Sequence, residues 1–248
     1  MSHPIGSYSF TIDAYLSDFR GKATLPMMMG FMLQAATKHA EERGFGYTAM
    51  TDQNKAWVLT RMKIFIQVYP SNENEIYIHT WAADINKLFS ERCFSFQDKA
   101  GNPLGFARSL WAAIDVDSRK ATNILDLEGL KQFIHRKECP IAPPQKLSDS
   151  KVKGRLADSF QVKYSDIDIN KHLSSLKYIE HFVDIFPIEM YQEKEIREFD
   201  INYIQEGHYG EKLEIEESEL GVDEYMLGLK ESDKTICLAK VRWEPFVK

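Results

Sequence analysis

The sequence predicts an α+β protein built from two tandem copies of one unit, in each of which an antiparallel sheet wraps around a long helix. Three observations support this prediction. Each half of the chain has one apolar segment with helical periodicity, and each half continues with four segments in which apolar and polar residues alternate. These strand-like segments follow one another without intervening helices, which is typical of an α+β layout and not of alternating βαβ units.

The first half begins with a predicted helix over residues 25–43, which is rich in good helix formers and is followed by Gly44. Its first turns are apolar around most of the circumference, so we expect the helix to be buried. Four predicted strands follow, at residues 57–68, 75–83, 92–97 and 104–116. In the first of these strands one face carries Met62, Ile64, Ile66 and Val68.

The second half repeats this order, and repetition of a whole unit indicates duplication. A Pro-containing stretch between the halves is typical of a linker. The predicted domains are residues 1–140, a linker over 141–155, and residues 156–248. A sheet wrapped around one long helix is the hotdog arrangement, so the prediction is a double hotdog. The elements of the second half are a strand at 159–164, a helix at 173–186, and strands at 198–204, 211–220, 225–230 and 235–243.

Composition narrows the class of protein. The formal net charge of -6 argues against a broad nucleic-acid-binding surface. Cys93, Cys139 and Cys237 form no CxxC pair, so we expect free thiols in a reducing compartment. The N-terminus has no signal-peptide pattern, and the longest apolar run is too short for a membrane span. We therefore expect a cytoplasmic protein that binds neither nucleic acid nor membrane.

The connection between the short strand and the helix of the second half carries three side chains suited to acyl transfer. Asp168, Asn170 and His172 alternate, so in an extended loop they would project to one side, close to a helix N-terminus that favours developing negative charge. Together they can supply a base or nucleophile, an oxyanion donor and a proton carrier. The same residues also fit helix capping and a structural histidine. Spacing alone leaves both interpretations open.

The pattern Asp168-x-Asn170-x-His172, followed by Lys-Tyr-Ile at 177–179, closely resembles the active-site motif of the plant and bacterial acyl-ACP thioesterase family, WSDLD-x-NQHVNN-x-KYI. The segment WVLTRM at 57–62 is similar to the family's WVVTRM. Tyr69-Pro70 and Arg92 also stand where the family pattern expects them. The resemblance runs over nearly the whole chain. It implies a double hotdog fold with catalytic residues in the C-terminal half and the acyl cavity mainly in the N-terminal half.

The family's second catalytic segment reads YRREC, and residues 203–207 of this chain read YIQEG. The glutamate carries over as Glu206. Gly207 stands in place of the cysteine, which removes a Cys–His nucleophile at this position. Ser174 and Ser175 replace the paired asparagines of the first motif, so the helix N-terminus also departs from the family pattern.

The resemblance implies that the protein hydrolyses the thioester of a fatty acyl chain on the phosphopantetheine of acyl carrier protein (ACP), which releases free fatty acid and holo-ACP and terminates fatty acid synthesis. In this hypothesis Asn170 and backbone N–H groups hold the carbonyl oxygen. Asp168 attacks the carbonyl or positions the attacking water. His172 and Glu206 orient that water and manage its proton. The sequence indicates no cofactor and no metal-ligand cluster.

The methionines of the first predicted helix are candidates for lining the acyl cavity, because flexible thioether side chains suit irregular apolar space. Ordinary core packing is the alternative interpretation of the same residues. The first half has DFRGK at 18–22 where the second half has its motif, and it lacks the Asn and the His. One active site per chain follows. The candidate cavity residues are Met27, Met28, Met29 and Met32.

Two other functions remain open on the sequence alone. One is an acyl-CoA thioesterase with the same fold, and the other is a non-catalytic lipid-binding hotdog protein, which would not need the Asp, Asn, His and Glu together. The basic run of Lys151, Lys153 and Arg155 is interpreted as a solvated linker, with contact to an acidic carrier protein as the alternative. A homodimer, the acyl chain length and the choice of ACP over CoA are also left open.

Overall fold

Each half of the chain folds into a five-stranded antiparallel sheet with one main helix, which confirms the predicted α+β layout of two repeated units. The computed structural model describes residues 4–152 and 154–246, so Lys153 of the basic run lies outside the described residues. The chain divides into two units, residues 1–144 and 145–248.

In the N-terminal unit the strands lie in the order β1-β3-β4-β5-β2, and every neighbouring pair is antiparallel. Single 3-10 turns occur at Ala14–Leu16, Ile124–Asp126 and Leu130–Phe133. The helices and strands are β1 (Gly6–Thr11), α1 (Leu25–Glu41), α2 (Tyr47–Thr51), β2 (Lys55–Ile66), β3 (Glu75–Ile85), β4 (Ser90–Asp98) and β5 (Pro103–Asp115).

The C-terminal unit repeats this topology, with the order β6-β8-β9-β10-β7. Strand for strand, this is the order of the first unit, which confirms the duplication. Single 3-10 turns occur at Asp149–Lys151 and Tyr164–Asp166. The helices and strands are β6 (Arg155–Gln161), α3 (Ser175–Asp184), α4 (Ile188–Glu193), β7 (Lys194–Tyr203), β8 (Lys212–Gly221), β9 (Glu224–Glu231) and β10 (Lys234–Pro245).

Helix α1 is the buried centre of the N-terminal unit. The Thr24 hydroxyl caps it by accepting the backbone N–H of Met27 at 3.3 Å. Phe31 of α1 stacks on Phe10 of β1, with ring centroids 4.6 Å apart. The helix ends two residues before the predicted boundary, ahead of Gly44 in the left-handed region at φ 75. Its buried residues are Leu25, Met27, Met28, Met29, Met32, Ala35, Ala36 and His39.

Several details of the sequence prediction are wrong. Strand β2 ends at Ile66, so Val68 lies beyond the strand with 45% of its surface exposed. Tyr164 lies in a 3-10 turn and not in the strand before it. Helix α3 spans only Ser175–Asp184, because Leu173 pairs in a β-bridge with Ile167 and a proline at 187 disfavours helix at the residue before it. The short β1, α2 and α4 were not predicted.

A buried histidine on α1 also escaped the sequence analysis. His39 is 1% exposed, its Nδ1 lies 3.1 Å from Nη1 of Arg92, and its Nε2 lies 3.2 Å from the carbonyl oxygen of Pro4. Because a guanidinium only donates, Nδ1 must accept, and the ring is the neutral tautomer that donates from Nε2. Burial and the charges of Arg92 and Arg43 lower the pKa of His39 to about 3.

This histidine predicts an acid-dependent loss of stability. The unfolded chain binds a proton at residue 39 below about pH 6.5, whereas the folded chain does not until about pH 3, so stability falls as the pH falls between these values. Between pH 7 and pH 5 the expected loss from this residue is about 2 kcal/mol. Urea unfolding of the wild type and of His39→Gln at both pH values measures it. An equal loss in the two proteins would contradict the prediction.

Candidate active site

The loop that carries the first motif is a closed turn, so the expectation of an extended loop is wrong. The backbone N–H of Asp168 donates to the carbonyl of His172 at 2.9 Å, and that of Lys171 donates to the carbonyl of Asp168 at 3.0 Å. Oδ1 of Asp168 accepts the backbone N–H of Asn170 at 2.8 Å and that of His172 at 3.4 Å. The Asp168 carboxylate thus closes its own turn, in the manner of an Asx-turn.

The N-terminal unit contains the same turn at the corresponding place. The backbone N–H of Asp18 donates to the carbonyl of Lys22 at 2.7 Å. Oδ1 of Asp18 accepts the backbone N–H groups of Arg20 and Lys22, at 2.8 and 3.0 Å. Both turns have a residue in the left-handed region, Gly21 in the first and Lys171 in the second. One function of the aspartate is therefore structural and is independent of the Asn and His that only the second turn carries.

The two aspartates differ in their second oxygen. Oδ2 of Asp18 accepts from Nε of Arg20 at 2.8 Å and also contacts its Nη2. Asn170 takes the place of that arginine in the second turn. Within the described part of the chain, Oδ2 of Asp168 has no hydrogen-bond partner. The second turn therefore presents a half-buried carboxylate oxygen next to the exposed Asn170. The corresponding oxygen of the first turn is neutralised by Arg20.

His172 meets Glu206, which lies in the segment that follows β7. Nε2 of His172 is 3.4 Å from Oε2 of Glu206, and the two side chains are 21% and 37% exposed. The pair therefore joins the two segments that the sequence analysis selected, and it remains open to solvent. An imidazole beside a carboxylate is suited to orienting and deprotonating a water molecule.

Helix α3 holds the Glu206 segment in place through Tyr178. The backbone N–H of Gly207 donates to the Tyr178 hydroxyl at 3.0 Å, and that hydroxyl donates to the carbonyl of Gln205 at 3.4 Å. The backbone N–H of Leu173 donates to the carbonyl of Gly207 at 2.8 Å. Burial raises the pKa of Tyr178 above its ordinary value, so the hydroxyl stays protonated. Both segments of the candidate site are thus fastened to the start of α3.

Gly207 lies close to its neighbours in this part of the site. A Cβ at this position would lie 3.2 Å from Cβ of Leu173, 3.3 Å from its Cδ2 and 3.4 Å from the Tyr178 hydroxyl oxygen. A side chain here would therefore need small shifts of Leu173 or Tyr178. The three cysteines of the chain are buried, and Cys237, the one in the C-terminal unit, has a pKa raised well above the ordinary thiol value by burial.

His208, which the sequence did not single out, lies beside the pair of His172 and Glu206. The rings of His172 and His208 meet edge to face, with centroids 5.2 Å apart. Nδ1 of His208 lies 3.1 Å from Oε1 of Glu211, and its backbone N–H donates to Oε2 of the same carboxylate at 2.8 Å. Potential metal-ligand atoms of His172, Glu206 and His208 all lie within 4.8 Å of one another. The one signal in the sequence was a histidine two residues after the glutamate.

The other candidate residues lie in the N-terminal unit. Met27, Met28, Met29 and Met32 belong to α1, and each is between 0% and 8% exposed. Burial of this kind fits both a cavity lining and ordinary packing. No helix among residues 4–152 and 154–246 is long and apolar enough to cross a membrane.

The fastening by Tyr178 is testable. Tyr178→Phe removes the hydroxyl and leaves the backbone N–H of Gly207 buried without a partner, which should lower the free energy of unfolding by about 1–3 kcal/mol. Tyr164→Phe is the control, because Tyr164 is 90% exposed and its hydroxyl should contribute nothing measurable. Urea unfolding of the three proteins measures the difference. Equal stabilities of the two variants would show that the Tyr178 hydroxyl does not hold the segment.

Comparisons with known proteins give the family. The model of the acyl-ACP thioesterase N-terminal domain matches residues 7–129, and that of the C-terminal domain matches residues 149–245. The structure of an acyl-ACP thioesterase from Bacteroides thetaiotaomicron superimposes with a TM-score of 0.92 and 34% identity, over 97% of this chain and 98% of that one.

More distant relatives also match over most of the chain. The 12:0-ACP thioesterase from Umbellularia californica has a TM-score of 0.85 and 20% identity, with 99% of both chains covered. A chloroplastic acyl-(acyl-carrier-protein) hydrolase from Cuphea viscosissima is 25% identical over 97% of this chain, which spans 62% of that protein. These matches confirm the tandem hotdog architecture. With both domain models matched in order, the chain belongs to the acyl-ACP thioesterase family.

Proposed function

We propose that this protein hydrolyses fatty acyl-ACP to free fatty acid and holo-ACP, and so terminates fatty acid synthesis. One observation carries the proposal. In the unit that matches the family's C-terminal domain, His172 and Glu206 lie 3.4 Å apart and open to solvent. The acyl-ACP thioesterase from Bacteroides thetaiotaomicron, 34% identical over 97% of this chain, supports the choice of substrate.

In the proposed mechanism, water is the nucleophile. Glu206 accepts the proton of the water, and His172 orients it from the other side. The thiolate of phosphopantetheine is a good leaving group, since ordinary thiol pKa values lie near ~8.5. Little general-acid assistance is needed, so activation of the water and stabilisation of the oxyanion make up most of the catalysis.

The turn at Asp168 supplies the remaining groups. The side-chain amide of Asn170 and nearby backbone N–H groups donate to the developing oxyanion. The unpartnered Oδ2 of Asp168 accepts a hydrogen bond from the attacking water. We prefer this role to direct attack by Asp168, because Oδ1 holds two backbone N–H groups of the turn and a carboxylate that forms an anhydride would weaken both bonds.

We assign the catalytic reaction to residues 156–248 and the acyl chain to residues 1–140, with 141–155 as the linker. Met27, Met28, Met29 and Met32 are the proposed lining of the acyl cavity. Their burial along one helix and the flexibility of thioether side chains support this assignment. Acyl-ACP is the proposed partner. The free cysteines suit a reducing compartment, and we propose the cytoplasm.

The substrate is tested with a panel of acyl-ACPs from short to long chains beside the matching acyl-CoAs. The proposal expects higher kcat/KM on acyl-ACP at the preferred chain length, because only the carrier protein can add contacts outside the acyl chain. Rapid cleavage of acyl-CoA with intact acyl-ACP would identify an acyl-CoA thioesterase instead. Binding of acyl groups without hydrolysis of either thioester would identify a lipid-binding protein.

The catalytic roles are tested with three variants and one matched control. Asp168→Asn keeps an acceptor oxygen for the turn and removes the charge, so it should leave the melting temperature close to that of the wild type. His172→Ala, Glu206→Gln and Asp168→Asn are each expected to lower kcat by roughly 10²-fold or more. Asp18→Asn makes the same change in the corresponding turn of the other unit, and its kcat should stay unchanged. Full activity of folded Glu206→Gln would refute the mechanism.

A further inference from the structure

We propose that His172, Glu206 and His208 form a binding site for a divalent transition-metal ion such as Zn²⁺, and that an ion bound there stops hydrolysis. The binding half of this proposal stands on the geometry of the three side chains. The inhibition half rests on the proposed function.

The three side chains have the composition and spacing of a zinc site. Two imidazoles and one carboxylate form a common set of three protein ligands, which leaves a fourth position for water. Ligands about 2.0–2.1 Å from a tetrahedral ion lie about 3.3–3.4 Å from one another. The nitrogen of His172 and the oxygen of Glu206 are already 3.4 Å apart. All three ligand atoms lie within 4.8 Å of one another, so the side chains would have to draw closer to surround an ion.

Glu211 provides a second, independent observation. Metal-binding histidines usually donate the N–H of their other ring nitrogen to a carboxylate, which fixes the tautomer. Nδ1 of His208 lies 3.1 Å from Oε1 of Glu211, and Oε2 of that carboxylate accepts the backbone N–H of His208 at 2.8 Å. The bond at Nδ1 assigns the ring proton to that nitrogen. It leaves the lone pair of Nε2 available to an ion.

The cluster is also accessible, whereas the cysteines and His39 are not. The side chains of His172, Glu206 and His208 are 21%, 37% and 54% exposed. The three cysteines, which would bind zinc more strongly, are buried. His39 is committed to Arg92 and Pro4. Among the described residues, His172, Glu206 and His208 form the accessible group of three potential ligands.

A bound ion removes the groups that the proposed mechanism uses. Coordination takes the lone pair of Nε2 of His172 and a carboxylate oxygen of Glu206, so neither can orient or deprotonate a free water. The result is reversible inhibition that a chelator relieves.

Calorimetric titration of the metal-free full chain with Zn²⁺ tests the binding half. We expect one ion per chain. His208→Ala should weaken binding at least about 10-fold, and Glu211→Gln should weaken it about 10–100-fold through the orientation of His208. His135→Ala is the control, since His135 is a partly exposed histidine of the N-terminal unit, and it should bind as the wild type does. Unchanged affinity in His208→Ala would overturn the site.

The inhibition half is tested by measuring the hydrolysis rate of each variant with Zn²⁺ and dividing it by the rate of the same variant with chelator. As the Zn²⁺ concentration rises, the ratio for the wild type should fall in parallel with the fraction of protein that has bound Zn²⁺. The ratio for His208→Ala should stay near one at the same Zn²⁺ concentrations. A saturated wild-type enzyme that hydrolyses at an equal or higher rate would overturn inhibition. A protein that binds Zn²⁺ as expected and hydrolyses no thioester without it would contradict the proposed function and leave the metal site standing.

Discussion

The hydrogen bond from the backbone N–H of Gly207 to the Tyr178 hydroxyl is the contact on which the candidate site depends. It joins residues 29 positions apart in the chain. The same hydroxyl donates to Gln205, and the Leu173 backbone donates to Gly207. Glu206 lies between two anchored residues, and its carboxylate lies 3.4 Å from Nε2 of His172. Preorganisation of this kind is what a catalytic pair requires, because a loose carboxylate would lose its alignment with the water.

Duplication explains why this site occurs once. Both units have the same sheet order and the same aspartate-closed turn, so the scaffold existed in two copies. In the first unit Arg20 neutralises the second oxygen of Asp18. In the second unit Asn170 replaces that arginine and the oxygen stays available. The second turn thus keeps the structural role of its aspartate and also leaves one carboxylate oxygen available, through substitution of one residue whose side chain the turn does not need.

The sequence predicted the strands and α1 well, because alternation and helical periodicity report which face of an element is buried. It also selected both loops of the site, through their resemblance to a family motif. It failed where the geometry depended on side-chain hydrogen bonds or on contacts between residues distant in sequence. The alternation of Asp168, Asn170 and His172 suggested an extended loop, whereas hydrogen bonds that the Asp168 carboxylate accepts from the backbone fold it into a turn. His208 was missed because its partner His172 lies far away in the sequence and only the fold brings them together.

Amide hydrogen exchange at Gly207, followed by NMR, tests the central claim most directly. The account holds that this loop amide is fastened to α3 by a buried hydroxyl. It predicts that the Gly207 amide exchanges as slowly as amides in the middle of β7, and much faster in Tyr178→Phe. The amide of Tyr209, an exposed residue in the same loop, should exchange quickly in both proteins. A wild-type Gly207 amide that exchanges as fast as that of Tyr209 would contradict the account, because the Glu206 segment would then be held by something other than Tyr178.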